Sequence, residues 1–370
     1  MRRRRLTLGV LAGLAAGAFA LGAALGDSSP PAAETEIPVA ETLSAPDLAG
    51  ERIVLGFGGA EVPPRVEAAI RAGRAAGVVL FADNLPSRAA ARRLIADLQA
   101  IRRPRALRDP LLIMVDQEGG LVKRLSGAPT ASAAEMGGRG AAYSREQGRR
   151  TAANLRGVGI NVDLAPVLDV ARPGGTIAAT ERGFGSTAAA VAASAIPFAS
   201  AIQGGSVAAT AKHFPGLGAA PENTDFAVQR IGLSKRTLRS VDEAPYRAFA
   251  AAGGDLVMLS TAIYPAFAPV PAAFARQIAT GELRDRLGFD GVSITDALNT
   301  VAVRAFGGPA KAAVAAARAG SDLLLFTEPA PSEQARRALV AKLRAGRLDR
   351  GEFEAAAQRV LDLRRELAGR

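Results

Sequence analysis

Charged side chains that can do chemistry recur at the ends of predicted strands in this 370-residue chain: Asp116, Glu118, Lys212, His213 and Asp296. A carboxylate on the rigid end of a strand can be aimed at a substrate carbon, and a second ionisable group on a neighbouring loop can then donate a proton. Two such groups about 5–5.5 Å apart would make a retaining glycosidase. A single aspartate at a strand end can equally cap a helix or hold a loop. The residue types alone therefore leave a catalytic and a structural interpretation open.

The composition argues against several other chemistries. The chain has no Cys, which removes disulfides, thiolate metal sites and thiol nucleophiles. Its single His argues against the common zinc-hydrolase ligand sets. A Ser-His-Asp triad would need His213 as its base, but the chain has no Gly-x-Ser-x-Gly elbow. The Gly-Leu-Gly string at 216–218 lacks the third Gly of a dinucleotide loop, because Pro221 stands there, so we expect no metal and no organic cofactor.

The net charge of +11 does not predict a nucleic-acid partner. The chain has 46 Lys and Arg against 35 Asp and Glu, and most of the basic residues are Arg scattered among acidic residues along helix-like segments. Trp is absent, and Tyr and Phe form no cluster that could stack on bases. This distribution is typical of solvated helix faces.

The N-terminus has the layout of an export or anchoring segment. Four Arg at residues 2–5 precede an uncharged run over residues 6–26, and Asp27 follows it. About 20 apolar residues can span a bilayer, and the preceding basic residues would place the rest of the chain outside the cytoplasm. A cleaved signal peptide has the same layout. We therefore expect residues 1–26 to be a signal peptide or a membrane anchor, and the Ser-, Pro-, Ala- and Glu-rich stretch 27–49 to be a linker.

From about residue 50 onward, strand-like and helix-like segments alternate. Short apolar runs bounded by Gly and followed by amphipathic segments are typical of parallel strands buried on both faces. The predicted strands are residues 53–57, 78–81, 111–115, 161–166, 207–212, 256–260, 292–296 and 322–326. Eight such strands predict an α/β fold, either a closed (β/α)8 barrel or a large open doubly wound sheet. In a barrel, functional side chains cluster past the carboxyl ends of the strands, where the charged residues above are found.

Six stretches of this region form a specific combination: Gly-Val-Val-Leu-Phe-Ala-Asp-Asn (77–84), Val-Asp-Gln-Glu-Gly-Gly (115–120), Asn-Val-Asp-Leu-Ala-Pro-Val-Leu-Asp-Val (161–170), Arg-Gly-Phe-Gly (182–185), Lys-His-Phe-Pro-Gly (212–216) and Leu-Gly-Phe-Asp-Gly-Val-Ser-Ile-Thr-Asp (287–296). Together, in this order, they resemble the family 3 glycoside hydrolases, specifically their single-barrel β-N-acetylglucosaminidase branch. The resemblance implies one catalytic domain over residues 50–370, a (β/α)8 barrel of the TIM type.

The resemblance also implies roles for individual residues. Asp296 falls on the family's nucleophile position. The family's substrate-binding set falls on five residues that would hold sugar hydroxyls: Asp116, Arg124, Arg182, Lys212 and His213. The implied partner is therefore a carbohydrate. Purely structural roles stay open for two of these residues, since Arg182 could stabilise its loop and His213 could be a hydrogen-bonded core residue.

The loop after Lys-His-Phe-Pro-Gly departs from the family pattern. That branch usually carries Asp-x-His there, whose His is the general acid/base and whose Asp orients it. Counted without gaps, Asn223 stands at the Asp position and Asp225 at the His position. Two further departures are Thr261, where the family has a His, and Leu121, where an Arg commonly stands. The usual proton-transfer dyad is therefore missing.

Two outcomes follow for this loop. In the first, Asp225 is the acid/base, because a carboxylic acid with a raised pKa does this work in most retaining glycosidases. Glu222 on the same loop is a reserve candidate. In the second, Asp225 only holds the loop, and the barrel binds sugars with little or no turnover.

Three functions follow from these outcomes. We favour an exported retaining β-N-acetylhexosaminidase that cleaves terminal β-N-acetylglucosamine from peptidoglycan-type glycans through a covalent intermediate on Asp296. The first alternative is a catalytically impaired sugar-binding protein, because the dyad is lost. The second is a β-glucosidase of the same family, because several recognition positions differ.

Overall fold

The fold is a barrel of parallel strands in a computed structural model that describes residues 38–369. Eight strands form the barrel, and two short ones, β4 and β5, form a separate antiparallel hairpin. In chain order the strands are β1 Ile53–Gly56, β2 Gly77–Leu80, β3 Leu112–Val115, β4 Gln117–Gly119, β5 Val122–Lys123, β6 Val162–Asp163, β7 Ala208–Phe214, β8 Leu256–Leu259, β9 Val292–Thr295 and β10 Leu324–Phe326.

The barrel closes between its last two strands. Around the sheet the order is β10-β1-β2-β3-β6-β7-β8-β9, so barrel strands that follow one another in the chain pair from β1 to β9, and the last strand, β10, pairs with the first, β1. A parallel bridge joins Ile294 of β9 to Leu323, and the N–H of Thr295 donates to the carbonyl of Leu323 at 2.9 Å. These contacts confirm the predicted (β/α)8 barrel and exclude the open doubly wound sheet.

Helices on the outside connect the strands. The α-helices are α1 Ala45–Gly50, α2 Pro64–Arg71, α3 Arg88–Ala100, α4 Ala133–Arg139, α5 Ala141–Arg156, α6 Thr176–Ala179, α7 Ala188–Gly204, α8 Lys235–Thr237, α9 Ala244–Ala251, α10 Val301–Arg304, α11 Gly308–Ala319, α12 Pro329–Arg344 and α13 Arg350–Gly369. Two π-helical segments are Leu238–Asp242 and Gln277–Arg286. The 3₁₀ turns are Val39–Thr42, Ala82–Asn84, Arg105–Leu107 and Ala272–Phe274.

Local sequence signals set several helix boundaries. Helix α3 begins after Ser87, whose side chain accepts a hydrogen bond from the N–H of Ala90. Thr187 caps α7 in the same way. Helix α2 ends at Arg71, shortly before Gly73, which adopts a φ of +64° and turns the chain.

Helix α13 closes the amino-terminal end of the barrel. Its Val360 and Leu363 pack with barrel-interior side chains such as Val54. Its Arg364 is fully buried, pairs with Glu51, and donates to backbone carbonyls of the segment that precedes β3. The opposite end of the barrel, where the strands have their carboxyl termini, is therefore left for the site.

The folded domain begins earlier than residue 50. The N-terminal part of α1 and the 3₁₀ turn before it lie within the predicted linker 27–49, and Leu48 is fully buried there. The N–H of Ala40 donates to Oε1 of Gln358 in α13 at 3.0 Å. Ser44 caps α1, so the sequence does contain a signal for the start of a helix within a stretch whose composition is typical of a linker. Residues 38–49 are thus packed structure, which corrects that part of the linker prediction.

The segment predicted to be a signal peptide or membrane anchor, residues 1–26, lies outside the described residues, as does the first part of the predicted linker. Among residues 38–369, no helix combines the length and the apolar character that a membrane span requires.

Candidate functional site

A pocket opens at the carboxyl ends of the barrel strands. Apolar side chains from the strands form part of its wall: Val79, Leu164, Met258 and Leu325. Its charged lining consists of Asp116, Glu118, Arg124, Arg182, Lys212, His213, Asp225 and Asp296. The structure therefore brings together in one pocket all seven residues that the sequence analysis assigned to catalysis or sugar binding. It also adds Glu118, to which no role was assigned.

A buried ion-pair network fixes one side of the pocket. Nζ of Lys212 lies 2.7 Å from Oδ1 of Asp116 and 2.7 Å from Oε1 of Glu118. Arg182 holds Glu118 through two parallel hydrogen bonds, Nε to Oε2 and Nη2 to Oε1, both of 2.7 Å. Burial acts to raise the pKa of Glu118, but the charges of Lys212 and Arg182 outweigh it and lower that pKa to about 2. Glu118 is therefore an anion that holds both cations in place.

The same network keeps Lys212 positively charged. Burial acts to lower the pKa of Lys212, but the carboxylates of Asp116 and Glu118 outweigh it and raise that pKa above its usual value. Asp116 is only partly buried and lines the pocket. A ligand at this wall therefore meets an ammonium group and a carboxylate side by side, which suits the hydroxyl groups of a sugar.

The hairpin of β4 and β5 carries Glu118 into the pocket. Gly119, the last residue of β4, has a φ of +97°, and a Cβ there would lie 2.1 Å from the carbonyl oxygen of Ala131, so no larger residue fits. The buried side chain of Gln117 accepts the backbone N–H of Arg124 at 3.1 Å. This bond locks the hairpin and sets Arg124 at the pocket wall, where its Nε has no hydrogen-bond partner among the described residues.

His213 is oriented by a buried aspartate. Its Nδ1 lies 2.7 Å from Oδ2 of Asp169. The other oxygen, Oδ1, accepts the backbone N–H of His213 at 3.1 Å and that of Leu217 at 2.6 Å. Because Nδ1 faces Asp169, Nε2 is the ring nitrogen left for a ligand. His213 is thus both a hydrogen-bonded buried residue and part of the pocket lining.

Asp296 stands directly after β9 on a fixed backbone. Its N–H donates to the carbonyl of Leu259 in β8 at 2.9 Å, and its Oδ1 accepts the N–H of Ala297 at 2.7 Å. The hydroxyl of Thr224, a buried residue of the loop after β7, lies 3.4 Å from its Oδ2. Asp296 is only partly buried and lines the pocket, so its carboxylate is both rigid and accessible.

Asp225 reaches the same pocket from the loop after β7. Nδ2 of Asn223 donates to Oδ2 of Asp225 at 3.1 Å, and Oδ1 of Asn223 accepts the N–H of Asp225 at 3.0 Å. The residue as a whole is exposed, but it lines the pocket. Desolvation at the pocket wall, followed by the negative charge of Asp296, raises the pKa of Asp225 above its usual value. The pocket therefore contains one carboxyl whose pKa is raised and another placed on a rigid strand end.

Asp163 lies fully buried beside this site, on β6. Its Oδ1 accepts the N–H of Gln117 at 3.1 Å, whereas its Oδ2 has no hydrogen-bond partner among the described residues. Burial raises its pKa well above the usual value. Asp163 therefore positions the start of the hairpin and does not line the pocket.

The remaining residues singled out in the sequence lie outside the pocket lining. Glu222 is exposed on the loop after β7 and Leu121 is exposed on the hairpin turn, whereas Thr261 is buried. Within residues 38–369, no group of three or more His, Asp or Glu side chains is placed to hold a metal ion.

Two sets of contacts at the pocket were not predicted from the sequence. One is the clamp of Glu118 on Lys212 and Arg182, and the other is the support of His213 by Asp169. A signal for the first existed, because Asp116 and Glu118 are two residues apart and side chains at this spacing in extended backbone point the same way. A buried lysine also requires such partners.

Comparisons with known sequences agree with this geometry. The sequence pattern of the glycosyl hydrolase family 3 N-terminal domain matches residues 56–363. A protein of Arthroderma benhamiae described as an uncharacterized secreted glycosyl hydrolase is 36% identical over 330 residues, covering 86% of this chain and 93% of that protein. A beta-hexosaminidase of Xylella fastidiosa is 38% identical over 266 residues, covering 69% of this chain and 76% of the relative.

Solved structures show the same fold. The family 3 beta-N-acetylglucosaminidase of Paenibacillus sp. has a TM-score of 0.82 at 33% identity, covering 88% of this chain and 63% of that one. The beta-N-acetylhexosaminidase of Beutenbergia cavernae has a TM-score of 0.80 at 33% identity, covering 87% of this chain and 98% of that one. This chain therefore spans less than two thirds of the Paenibacillus protein but nearly the whole of the Beutenbergia protein.

Proposed function

The chain belongs to glycosyl hydrolase family 3 and is a glycoside hydrolase, and on that premise we propose that it is an exported retaining β-N-acetylhexosaminidase. Its substrate would be a terminal β-linked N-acetylglucosamine of peptidoglycan-type glycans. The observation that carries this proposal is the placement of Asp296 and Asp225 in one pocket beside the Lys212–Asp116 pair. The names of the Xylella and Beutenbergia relatives support the sugar specificity.

In the first step, Asp296 is the nucleophile. One of its carboxylate oxygens forms a bond to the anomeric carbon while the bond from that carbon to the leaving oxygen breaks. Asp225 donates its proton to the leaving oxygen, so the leaving group departs as a neutral alcohol. The products of this step are the free alcohol and a glycosyl ester on Asp296.

In the second step, Asp225 changes from acid to base. Its carboxylate removes a proton from a water molecule, whose oxygen attacks the anomeric carbon and breaks the ester bond to Asp296. The sugar is released with its original configuration, because the carbon has been inverted twice. Asp296 returns to its anionic form and Asp225 to its protonated form.

The loop contacts support Asp225 as the proton carrier. Desolvation and the charge of Asp296 raise its pKa, which is the direction that a general acid requires. Asn223 holds the Asp225 carboxyl, and Thr224 ties the same loop to the Asp296 carboxylate. Consecutive residues of one loop thus connect the proton donor and the nucleophile.

The rest of the pocket would bind the sugar. Asp116 and Lys212 offer an acceptor and a donor for neighbouring hydroxyl groups, and Arg182 offers a further donor. Because Nδ1 of His213 donates to Asp169, its Nε2 offers an acceptor. Arg124, whose Nε is unpaired within the described residues, would add a charged donor from the hairpin. Glu118 would not touch the sugar but would keep the two cations in place.

Export is proposed from two observations. The segment over residues 1–26 has the layout of a signal peptide or an anchor, and the Arthroderma relative is described as secreted. An amino-sugar glycan outside the cytoplasm is a substrate consistent with both. Attachment to the membrane through residues 6–26 would require that the segment is retained.

Hydrolysis of 4-nitrophenyl β-N-acetylglucosaminide tests the proposal. The wild type and Asp290→Ala should turn over at similar rates, because Asp290 is an exposed carboxylate at the other end of the same strand. Asp296→Ala should lose at least about 10³-fold in kcat, as loss of a covalent nucleophile does. Wild-type turnover no faster than that of Asp296→Ala would contradict the proposal.

One observation favours a second candidate, a sugar-binding protein with little turnover. The acid/base position carries an aspartate on an exposed loop, and His213 is the only histidine in the chain. Calorimetry with N-acetylglucosamine decides between the two: binding without measurable hydrolysis of the aryl glycoside supports this candidate, and rapid turnover excludes it. A panel of aryl glycosides addresses the third possibility, since preference for glucose over N-acetylglucosamine would indicate a β-glucosidase.

A further inference from the structure

The large exposed apolar side chains of the described residues share one end of the barrel. Within residues 38–369 they are Leu121 (76% exposed), Phe226 (69%), Val301 (48%) and Val228 (40%). Leu121 lies on the hairpin after β3, Phe226 and Val228 on the loop after β7, and Val301 on the connection after β9. All four therefore follow the carboxyl ends of strands, on the face where the pocket opens.

Each of these positions adjoins the pocket in sequence. Leu121 precedes Val122, and Phe226 follows Asp225; both Val122 and Asp225 line the pocket. Val301 comes four residues after Ala297, which also lines it. The pocket thus has a charged interior and an apolar rim, defined here as Leu121, Phe226, Val228 and Val301.

In the loop after β7, two buried polar residues fix the backbone, and the apolar residues between them are exposed. Thr224 is buried against Asp296, and Gln229 is buried with its carbonyl accepting the N–H of Ile263 at 2.9 Å. Between these two anchors, Phe226 and Val228 stay exposed. Exposed apolar side chains that are grouped at a polar pocket are typical of a surface that a ligand covers.

We propose that Leu121 and Phe226 form a binding site for the leaving group of the substrate, and that this site contacts an apolar face of that group. The inference rests on the proposed function. A terminal sugar that fills the charged interior places its anomeric carbon between Asp296 and Asp225, so the group attached to that carbon lies at the pocket mouth. The side chains next to Val122 and Asp225 are then the ones it meets.

The chemistry of the rim selects the class of leaving group. Neither Leu121 nor Phe226 can donate or accept a side-chain hydrogen bond, so both gain only from apolar contact. Alkyl chains, aryl groups and the C–H face of a second sugar ring share this chemistry. Phe226 offers a flat surface to each of them.

A series of alkyl β-N-acetylglucosaminides separates apolar contact from chemical reactivity. Methyl, butyl and hexyl glycosides have leaving groups of nearly equal acidity but increasing apolar area. For the wild type, kcat/KM should rise along the series, by up to about fourfold for each methylene that is fully buried. In Phe226→Ser and Leu121→Ser the rise should flatten, while kcat/KM for the methyl glycoside changes less than about threefold.

Controls distinguish the rim from the rest of the site. Arg230→Gln, an exposed polar change on the same loop, should keep the wild-type rise. Inhibition by N-acetylglucosamine, which has no leaving group to place at the rim, should be the same in all variants. N,N′-diacetylchitobiose tests whether a second sugar occupies the site. If Phe226→Ser loses more activity on this disaccharide than on the methyl glycoside, the site binds a second sugar. If it loses activity on the hexyl glycoside alone, the site binds alkyl or aryl groups.

The outcomes are separable. Hydrolysis of the series by the wild type without dependence on chain length overturns the rim site and leaves the proposed function intact. Equal losses for methyl and hexyl glycosides in Phe226→Ser also overturn it, because the ring would then support the pocket and not the leaving group. Failure of the wild type to hydrolyse any glycoside in the set overturns both proposals.

Discussion

The hydroxyl oxygen of Thr224 lies 3.4 Å from Oδ2 of Asp296. This contact ties the loop after β7 to the end of β9, although the two residues are 72 positions apart in the chain. Asp225, the next residue of the loop, is thereby placed at the pocket that Asp296 lines. The proposed proton donor is thus positioned by the same contact that holds the loop against the proposed nucleophile.

Replacing Asp225 by Asn should lower kcat/KM by about 10²–10⁴-fold for substrates with poor leaving groups, because these depend on a proton from the enzyme. The loss should be smaller for 4-nitrophenyl glycosides, whose leaving group departs without that proton. Glu222→Gln should stay near the wild type, since Glu222 does not line the pocket. Steady-state kinetics on both substrate types checks this, and a larger loss in Glu222→Gln than in Asp225→Asn would transfer the role to Glu222.

The pH profile of kcat/KM should carry the signature of Asp225. The first step needs its protonated form, so activity falls as the pH rises through its pKa. Because desolvation and the charge of Asp296 raise that pKa, the fall should occur at a higher pH than for an ordinary aspartate. Asp225→Asn should lack this limb when assayed with a 4-nitrophenyl glycoside. An identical alkaline limb in the variant would show that another group titrates.

The parts of this fold that the sequence predicts are those with a local pattern. Several barrel strands, such as Leu112–Val115, are short continuous apolar runs, which are typical of strands buried on both faces. The hairpin of β4 and β5 has no such pattern, because its strands are three and two residues long and depend on the side chain of Gln117. Helix α1 was likewise not predicted, because its surroundings have a linker-like composition and its cap, Ser44, is a weak signal by itself.

The site follows the same division. The sequence predicts that three site residues lie close together, because each ends or follows a predicted strand and parallel strands bring their carboxyl ends together. These residues are Asp116, Lys212 and Asp296. Which charges pair is not readable in this way. The clamp of Glu118 and the placement of Thr224 depend on side-chain directions across segments far apart in the chain.

Glu118→Gln should lower the free energy of unfolding by about 3 kcal/mol at neutral pH. The folded-state pKa of Glu118 is lowered from 4.5 to about 2, so its stabilisation is present above pH 4.5 and is lost as the pH falls towards 2. The wild type and the variant should therefore converge over this window in urea unfolding. Glu135→Gln, which removes an exposed ion pair with Arg139, should cost less than about 1 kcal/mol. A difference for Glu118→Gln that is independent of pH would contradict this account.

Two buried aspartates near the site should respond oppositely to replacement by Asn. Asp163→Asn should raise stability at neutral pH, because burial raises the pKa of this carboxyl and Asn keeps an acceptor for the N–H of Gln117 without a charge to bury. Asp169→Asn should lower stability by about 1–3 kcal/mol, because Asp169 accepts hydrogen bonds on both oxygens. Chemical denaturation at pH 7 measures both, and destabilisation by Asp163→Asn equal to that by Asp169→Asn would refute the contrast.

Trapping the glycosyl-enzyme intermediate tests the central claim most directly. A 5-fluoro-β-N-acetylglucosaminyl fluoride reacts without help from a proton donor, because fluoride is a good leaving group, and the ring fluorine slows the release step. Mass spectrometry of the digested protein should find one glycosyl unit on the peptide that contains Asp296, and none in Asp296→Ala. Turnover of this reagent with the adduct on a different residue, or hydrolysis with inversion at the anomeric carbon, would contradict the assignment of Asp296 as the nucleophile.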